Sequence, residues 1–314
     1  HMKVPMNILR PERFNDLVGQ EELLESLKIA VVSSNQRDAA LNHCLFHGPP
    51  GLGKTTLANA LANELNVDIQ VANGANLRTV SKLLPLLWKM VANPARYRRS
   101  ILFIDEIHRI TNLVEEFLYP VMEDFRLDIS VEGKKGQVGE VISEQLPEFT
   151  LVGATTEMGS LAAPFRDRFK LKFPLRLYDP EELVILLINN AKKLEVPIGQ
   201  EGLTTIAKSS RGTPRIANGL LEWIRDYGIA KRVSRLSASH VERALALRGI
   251  GLDGSTENDR LYLDFLLKNG GGPVGVDSIC SGINVDIETV KSTIEPWLIQ
   301  HHKIIKTKGG RKLI

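Results

Sequence analysis

"GPPGLGKTT", Gly48–Thr56, decides how this chain is read. Before it stands "NHCLF", a short apolar run suited to a buried parallel strand; after it stands "LANALANEL", whose apolar positions recur at helical spacing. Strand, glycine-rich loop and helix in that order form a phosphate cradle. Gly48, Gly51 and Gly53 let backbone N–H groups turn inward around an anion, with Pro49, Pro50 and Leu52 completing the loop. Lys54 can reach the terminal phosphates, Thr55 can hold Mg²⁺, and Thr56 lies in the same first helical turn, whose positive dipole end faces the ligand. The bland alternative, a glycine turn with an incidental lysine, has no use for the flanking strand and helix.

About fifty residues downstream comes "SILFIDEIHRI", where the apolar run Ile101–Ile104 ends on Asp105 and Glu106. Carboxylates at the carboxyl end of a buried strand face the ligand crevice of an open α/β sheet. Asp105 then binds Mg²⁺, mainly through water, and Glu106 orients or deprotonates the attacking water. Acid pairs at strand ends also serve as solvated or capping residues; the phosphate loop is what favours catalysis. A third buried-looking run, "FTLVGATT", ends on Thr155 and Thr156. Their hydroxyls are candidates for sensing the terminal phosphate or positioning water, although threonine is also an ordinary strand former.

The length of 314 residues allows two or three domains, and 43% hydrophobic with 25% charged residues is a globular composition. A net charge of +3 is too small to imply a nucleic-acid partner by itself, so local clusters must carry that argument. The two cysteines, Cys44 and Cys280, lack the spacing of a zinc site or disulfide framework and suit a reducing, cytoplasmic setting. No membrane segment and no leader is expected, and His1 before Met2 reads as a cloning remnant.

"SRGTPRIANGLLEWIRDYGIAKR" and "SASHVERALALRG" read as helices of a small lid, ending in the turn-rich "GIGLDGST". Beyond it, "ENDRLYLDFLLKNG", "VDSICSGI" and "DIETVKSTIEPWLIQH" are three helical patterns, and "KIIKT" with "RKLI" makes two short strands around a glycine turn. Three helices and a terminal hairpin describe a winged helix. The last fourteen residues carry five lysines or arginines and no acid, so they read as a basic wing rather than a frayed tail. Ile304, Ile305 and Leu313 are expected to anchor it, with Lys306, Lys308, Arg311 and Lys312 projecting toward phosphate backbone.

"GPPGLGKTT", "LFIDEIHR", "EEFLYPVMEDFRLDI", "FTLVGATT", "SRGTPRIA" and "GGGPVG" together resemble the RuvB family of Holliday junction branch-migration motors, within the AAA+ ATPases. The likeness runs from "LRPERFNDLVGQ" to the basic end. It implies an α/β AAA+ P-loop domain with a parallel sheet over residues 7–178, a helical lid over 179–253 and a winged-helix DNA-binding domain over 254–314. It further implies ATP as the nucleotide, adenine near Leu17 and Val18 with Tyr178 beside the base, and Arg168 of "FRDRF" as an arginine finger reaching a neighbouring subunit. Pro214 and Arg215 of "GTPRIA" are implied to meet the terminal phosphate from the lid. Without the resemblance, Arg166, Arg168 and Arg211 read as ordinary surface arginines. A ring of six subunits around duplex DNA, and a RuvA-like junction-binding partner on the hairpin 126–146, are implied likewise.

The sequence also departs from the family pattern. Residues 78–100, "RTVSKLLPLLWKMVANPARYRRS", are longer than that pattern expects and read as an amphipathic helix and a basic loop, either lining a DNA channel or forming a solvated subunit edge. The hairpin turn "EGKKGQ" carries Lys134 and Lys135 and is a poor apolar anchor, so a soluble edge hairpin competes with a docking site for a diverged or acidic partner. In the wing, lysine stands where the pattern expects arginine. A clamp-loader-like or other DNA-remodelling ATPase, and a nucleotide-switched DNA-binding regulator, are the rival functions.

Overall fold

The computed structural model describes residues 8–131 and 140–314. One compact unit ends at Arg176, and a second comprises Leu177–Ile314.

The first unit runs α1 (Glu21–Arg37), β1 (Cys44–His47), α2 (Lys54–Leu65), β2 (Ile69–Asn73), α3 (Val80–Ala92), α4 (Pro94–Tyr97) and β3 (Ile101–Asp105). It continues through α5 (Asn112–Glu123), β4 (Arg126–Val131), β5 (Glu140–Gln145), β6 (Thr150–Thr155), α6 (Ala163–Asp167) and β7 (Leu171–Pro174). Five strands form a parallel sheet in the order β2-β3-β6-β1-β7. The central strands are apolar without alternation because helices cover both faces: Cys44–Phe46, Ile101–Ile104 and Leu151–Val152 are buried. With β6 lying between β1 and β3, Thr155 ends beside His47, and Gly153 lies beside both Leu45 and Ile104. The phosphate loop, Asp105–Glu106 and Thr155–Thr156 therefore leave the same edge of the sheet. The segment 78–100 supplies the expected amphipathic helix, α3, which buries Leu83, Leu87 and Met90 against Leu118, Phe149 and Leu151.

His43, just before β1, is buried and satisfied at both ring nitrogens: Leu151 N–H donates to Nδ1 (2.8 Å) and Nε2–H donates to the Met122 carbonyl (2.9 Å). Burial holds its pKa below the ordinary value, so the folded state keeps the neutral ring.

In the second unit, α7 (Pro180–Lys193), α8 (Gln200–Lys208), α9 (Pro214–Ala230) and α10 (Ala238–Ala246) form a helical lid. Then come α11 (Glu257–Lys268), α12 (Val276–Ile283), α13 (Ile287–Thr289), a π-helical turn (Val290–Ile294) and α14 (Glu295–Gln300). The hairpin β8 (Ile304–Thr307) with β9 (Gly310–Leu313) completes a winged helix around Tyr262, Leu266, Ile279, Trp297 and Ile304. The π turn sits just before Pro296, which has no N–H for an interior helical bond.

The hairpin corrects the expected wing in two respects. Ile304 is buried, but Ile305, one residue on and hence on the other face of the strand, is 45% exposed. Arg311 does not project: its Nε donates to Glu295 Oε1 (2.7 Å) and its Nη2 to Oε2 (3.3 Å). Lys306 Nζ is 2.7 Å from Oε2, and the Tyr262 hydroxyl donates to Oε1 at 3.1 Å. Glu295 is fully buried; burial alone would raise its pKa, but the bonds from Arg311 and Lys306 hold the carboxyl below its ordinary range.

Two outcomes follow from these buried charges. Below pH ~6.5 the unfolded chain protonates His43 while the folded chain does not, so stability falls as pH drops, by at most ~1.4 kcal/mol per pH unit. Denaturant midpoints between pH 8 and 5 should show a shallower acid slope for His43→Gln; equal slopes would refute this role. Arg311→Ala leaves the Glu295 carboxylate with weaker compensation and should cost about 3 kcal/mol in denaturant unfolding followed at the winged helix. A loss below ~0.5 kcal/mol would return Arg311 to the surface set.

Candidate functional site

The strand-to-helix turn after β1 is built around close backbone approach. Gly48 has φ 143°, and a Cβ there would meet the Leu175 carbonyl oxygen at 2.4 Å, so a side chain would displace the turn from β7. Gly51 and Gly53 are also left-handed, at φ 81° and 90°. Leu52 is buried, anchoring the loop, and Pro49 and Pro50 are exposed at its rim. Lys54 opens α2 and is almost fully buried, with Nζ donating to the carbonyls of Gly48 (2.7 Å) and Pro49 (2.8 Å). Thr56 follows in the same turn, half-buried.

Thr55 Oγ1 donates to Asp105 Oδ2 at 3.0 Å, joining the start of α2 to the end of β3. Asp105 Oδ1 accepts from the Glu106 N–H, also at 3.0 Å. Glu106 has a left-handed backbone (φ 49°, ψ 45°), a conformation costing a non-glycine residue about 1 kcal/mol or more. It turns the chain sharply out of the strand, with the carboxylate one-third exposed. Gly74 permits this: a Cβ there would lie 2.3 Å from the Glu106 carbonyl oxygen.

The two threonines differ. Thr155 is fully buried, and its hydroxyl is engaged by the Glu157 N–H (2.9 Å) and by His108 Nδ1 (2.9 Å). Thr156, partly exposed, is the threonine left to face solvent. His108 Nε2 lies 3.3 Å from Glu106 Oε2. Sequence reasoning quoted this histidine without giving it a role; its placement two residues beyond the strand-end acid was the available signal.

Leu17 and Val18 are partly buried in the loop before α1, which Gln20 fastens to the strand exit by donating to the Arg176 carbonyl (2.6 Å) and accepting from the Arg176 N–H (3.2 Å). Arg168 is held within its own subunit: its guanidinium lies 3.8 Å from the centre of the Tyr119 ring, Nε is 3.2 Å from Glu123 Oε1, and Nη1 donates to the Pro164 carbonyl at 2.7 Å. Arg166 is half-buried.

Tyr178, Pro214 and Arg215 belong to the second unit. Tyr178 is mostly buried, and its N–H donates to the Gly212 carbonyl (2.8 Å), joining it to the "RGTPR" turn. Pro214 takes the first position of α9, where its missing N–H costs nothing, and Arg215 is exposed in the same turn. Arg211 is not a surface arginine. Its side chain is 8% exposed, paired with Asp259, bonded to the carbonyls of Gly254 (2.7 Å) and Thr293 (3.3 Å), and placed over the Trp297 ring. It ties the turn that presents Arg215 to the winged helix.

In the basic segment 78–100, Arg96 pairs with Asp68 (2.6 Å), while Arg98 and Arg99 pair with Asp38 (2.8 and 3.1 Å). These three arginines fasten the segment to its own unit. Arg78, Lys82 and Lys89 are exposed and make no ion pair among the described residues. At the wing, Lys308 and Lys312 are exposed and likewise unpaired among the described residues, and Lys306 is half-exposed while bound to Glu295. The β4–β5 hairpin pairs Ile129 with Ile142 and leaves Val141 and Ile142 exposed at 64% and 43%. Lys134 and Lys135 lie outside the described residues.

Comparison with known proteins gives this geometry a family. Residues 9–175 match the "Holliday junction DNA helicase RuvB P-loop domain", 178–251 the "RuvB AAA lid domain" and 251–314 the "RuvB C-terminal winged helix domain". The Holliday junction branch migration complex subunit RuvB of Rhodopirellula baltica is 42% identical over 304 residues, covering 96% of this chain and 81% of the relative. That of Myxococcus xanthus is also 42% identical over 304 residues, covering 96% and 86%. A structure of the Thermotoga maritima RuvB Holliday junction branch migration motor superposes with a TM-score of 0.85 at 34% identity, covering 98% of this chain and 96% of that one. A P-loop domain, a lid and a winged helix thus follow one another here over nearly the whole chain, and the chain belongs to the RuvB family of AAA+ ATPases.

Proposed function

We propose that the chain is an ATP-driven, ring-forming motor that promotes branch migration at Holliday junctions, acting in the cytoplasm with domains at 7–178, 179–253 and 254–314. The observation that carries the ATPase part is the 3.0 Å bond between Thr55 and Asp105, with Glu106 next in the chain. One hydroxyl and one carboxylate are hard oxygen donors suited to Mg²⁺, which keeps waters and takes phosphate oxygens instead of needing an all-protein cage. Among the described residues no group of three or more His, Cys, Asp or Glu could supply such a cage. Bound there, Mg²⁺ would neutralise charge on the phosphates.

The protein's own groups divide the remaining work. Gly48–Gly53 and Lys54 cradle the phosphates, Glu106 accepts a proton from or orients the attacking water, and Thr156 senses the terminal phosphate. The family resemblance supports Leu17 and Val18 as residues near adenine, Tyr178 as a residue beside the base, and Arg215 with Pro214 as the lid's residues for the terminal phosphate. Arg168 serves a neighbouring subunit's site in a ring of six, exchanging Glu123 for phosphate. Lys308 and Lys312, with the exposed part of Lys306, face duplex DNA. The apolar residues Val141 and Ile142 support the β4–β5 hairpin as the contact for a RuvA-like partner. No specific observation favours the clamp-loader or switch readings.

Lys54→Ala should weaken ATP binding at least tenfold, while Glu106→Gln should bind ATP within about twofold of the parent and hydrolyse it at least 100-fold more slowly. Equal loss of binding in both would sink the assignment. Arg168→Ala should be inactive alone but recover ATPase activity on mixing with Lys54→Ala, because hybrid interfaces pair an intact finger with an intact pocket; no recovery despite demonstrated subunit exchange counts against action in trans. ATP-dependent dissociation of a synthetic four-way junction, compared with a linear duplex and a primed template, tests the junction itself. Neutralising Lys308 and Lys312 together should lower the salt slope of DNA binding by about two, with DNA-independent ATPase unchanged. An unaltered slope would remove the wing from the DNA interface.

A further inference from the structure

We propose that His108 is the positioning residue for Glu106, holding the water-activating carboxylate by a polar contact from an imidazole that is itself hydrogen-bonded to the end of β6. The proposal rests on the reading of Glu106 as the water-activating group.

With a neutral imidazole, one arrangement gives both ring nitrogens a complementary partner. Glu157 N–H already donates to Thr155 Oγ1 at 2.9 Å, leaving the threonine's own hydroxyl hydrogen to donate to His108 Nδ1, also at 2.9 Å. The ring hydrogen then sits on Nε2, which faces Glu106 Oε2 at 3.3 Å. An ionised carboxylate is only an acceptor, so this polarity fits the acid beside the ring. His108 is 11% exposed at its side chain and Thr155 is fully buried, so water competes poorly for the link between them. The ring is held from below as well: His108 belongs to the short 3-10 turn Ile107–Arg109, whose Ile107 is fully buried over Gly153 and Leu45.

Glu106 needs such support. Its left-handed backbone turns the chain out of the strand, and Asp105 is committed to Thr55 and to the Glu106 N–H. Among the described residues no other side chain pairs with the Glu106 carboxylate, which without His108 would sample several rotamers. The same contacts make the position of Glu106 depend on Thr155. Thr155 is the neighbour of Thr156, so a shift at the phosphate-facing end of β6 is passed to the base through Thr155 and the imidazole. His108 touches neither substrate nor metal ligand in this scheme and acts only through Glu106.

Steady-state ATPase assays with Mg-ATP, alongside equilibrium binding of a fluorescent ATP analogue, test the assignment. His108→Ala should lower kcat by about 10-fold or more with KM and nucleotide affinity within about twofold, and His108→Gln, which restores an N–H donor, should recover part of kcat. In a Glu106→Gln background, His108→Ala should cause no further loss beyond about twofold, because the group it positions is already gone. Multiplicative losses in the double variant would overturn the inference, as would a kcat for His108→Ala within twofold of the parent or a parallel loss of nucleotide affinity. If Glu106→Gln alone hydrolyses ATP like the parent, the base assignment itself fails, a result distinguishable from a failure of His108 because it appears in the single Glu106 variant.

Discussion

The first unit is organised by a requirement that two side chains, Thr55 and Asp105, meet at 3.0 Å although they lie fifty residues apart. One opens a helix and the other ends a strand, so the meeting demands that β1 and β3 run parallel and finish at the same edge. Parallel strands need crossovers, crossovers place helices on both faces, and covered faces demand uninterrupted apolar strands. With β6 inserted between β1 and β3, the same edge acquires Thr155 and Thr156. The backbone must also pass closely at two points, and there the chain has Gly48 against Leu175 and Gly74 against Glu106. Sheet order, helix placement and glycine positions are thus consequences of bringing one hydroxyl and one carboxylate together at one end of the sheet.

The second unit is specified differently, by charge taken into its interior. A fully buried carboxylate such as Glu295 is tolerable only when its lone pairs are filled, and Arg311, Lys306 and Tyr262 fill them. Because Arg311 is on β9, Lys306 on β8, Tyr262 on α11 and Glu295 on α14, one side chain sets the register of the hairpin and its orientation against two helices. Arg211 does comparable work between lid and winged helix, reaching Asp259, Gly254, Thr293 and Trp297 from a turn that also carries Arg215. Arg215 is therefore carried by a turn already fastened to the winged helix.

What was legible in the sequence follows from these two modes. Apolar runs ending in acid or threonine, a glycine loop with lysine, and helical spacing in α3 and α9–α11 are local patterns, and the α/β fold with lid and winged helix was read from them. The parts that escaped are pairings across long separations. Arg211 finds Asp259 and Arg168 finds Glu123 only once the chain is folded, and nothing in the neighbourhood of either arginine announces a partner. Ile304 and Ile305 show a lesser failure of the same kind: adjacent apolar residues on a strand cannot both face one core, and period-two reasoning would have separated them.

Charge clusters are where sequence reading overreaches most. The six basic residues between Ile69 and Ile104 look like a single footprint for phosphate, yet Arg96, Arg98 and Arg99 are consumed by Asp68 and Asp38. At the wing, Arg311 is spent wholly and Lys306 partly on Glu295. A cation already neutralised by a carboxylate releases no counterion from DNA and adds nothing to the salt dependence of binding. Arginine is the residue most often diverted in this way, because its planar fork suits a carboxylate, whereas lysine's flexible and strongly hydrated ammonium stays in water. Lysine at the tip of this wing is therefore consistent with a division of labour, in which the arginine secures the hairpin from inside and the lysines keep their charge available outside.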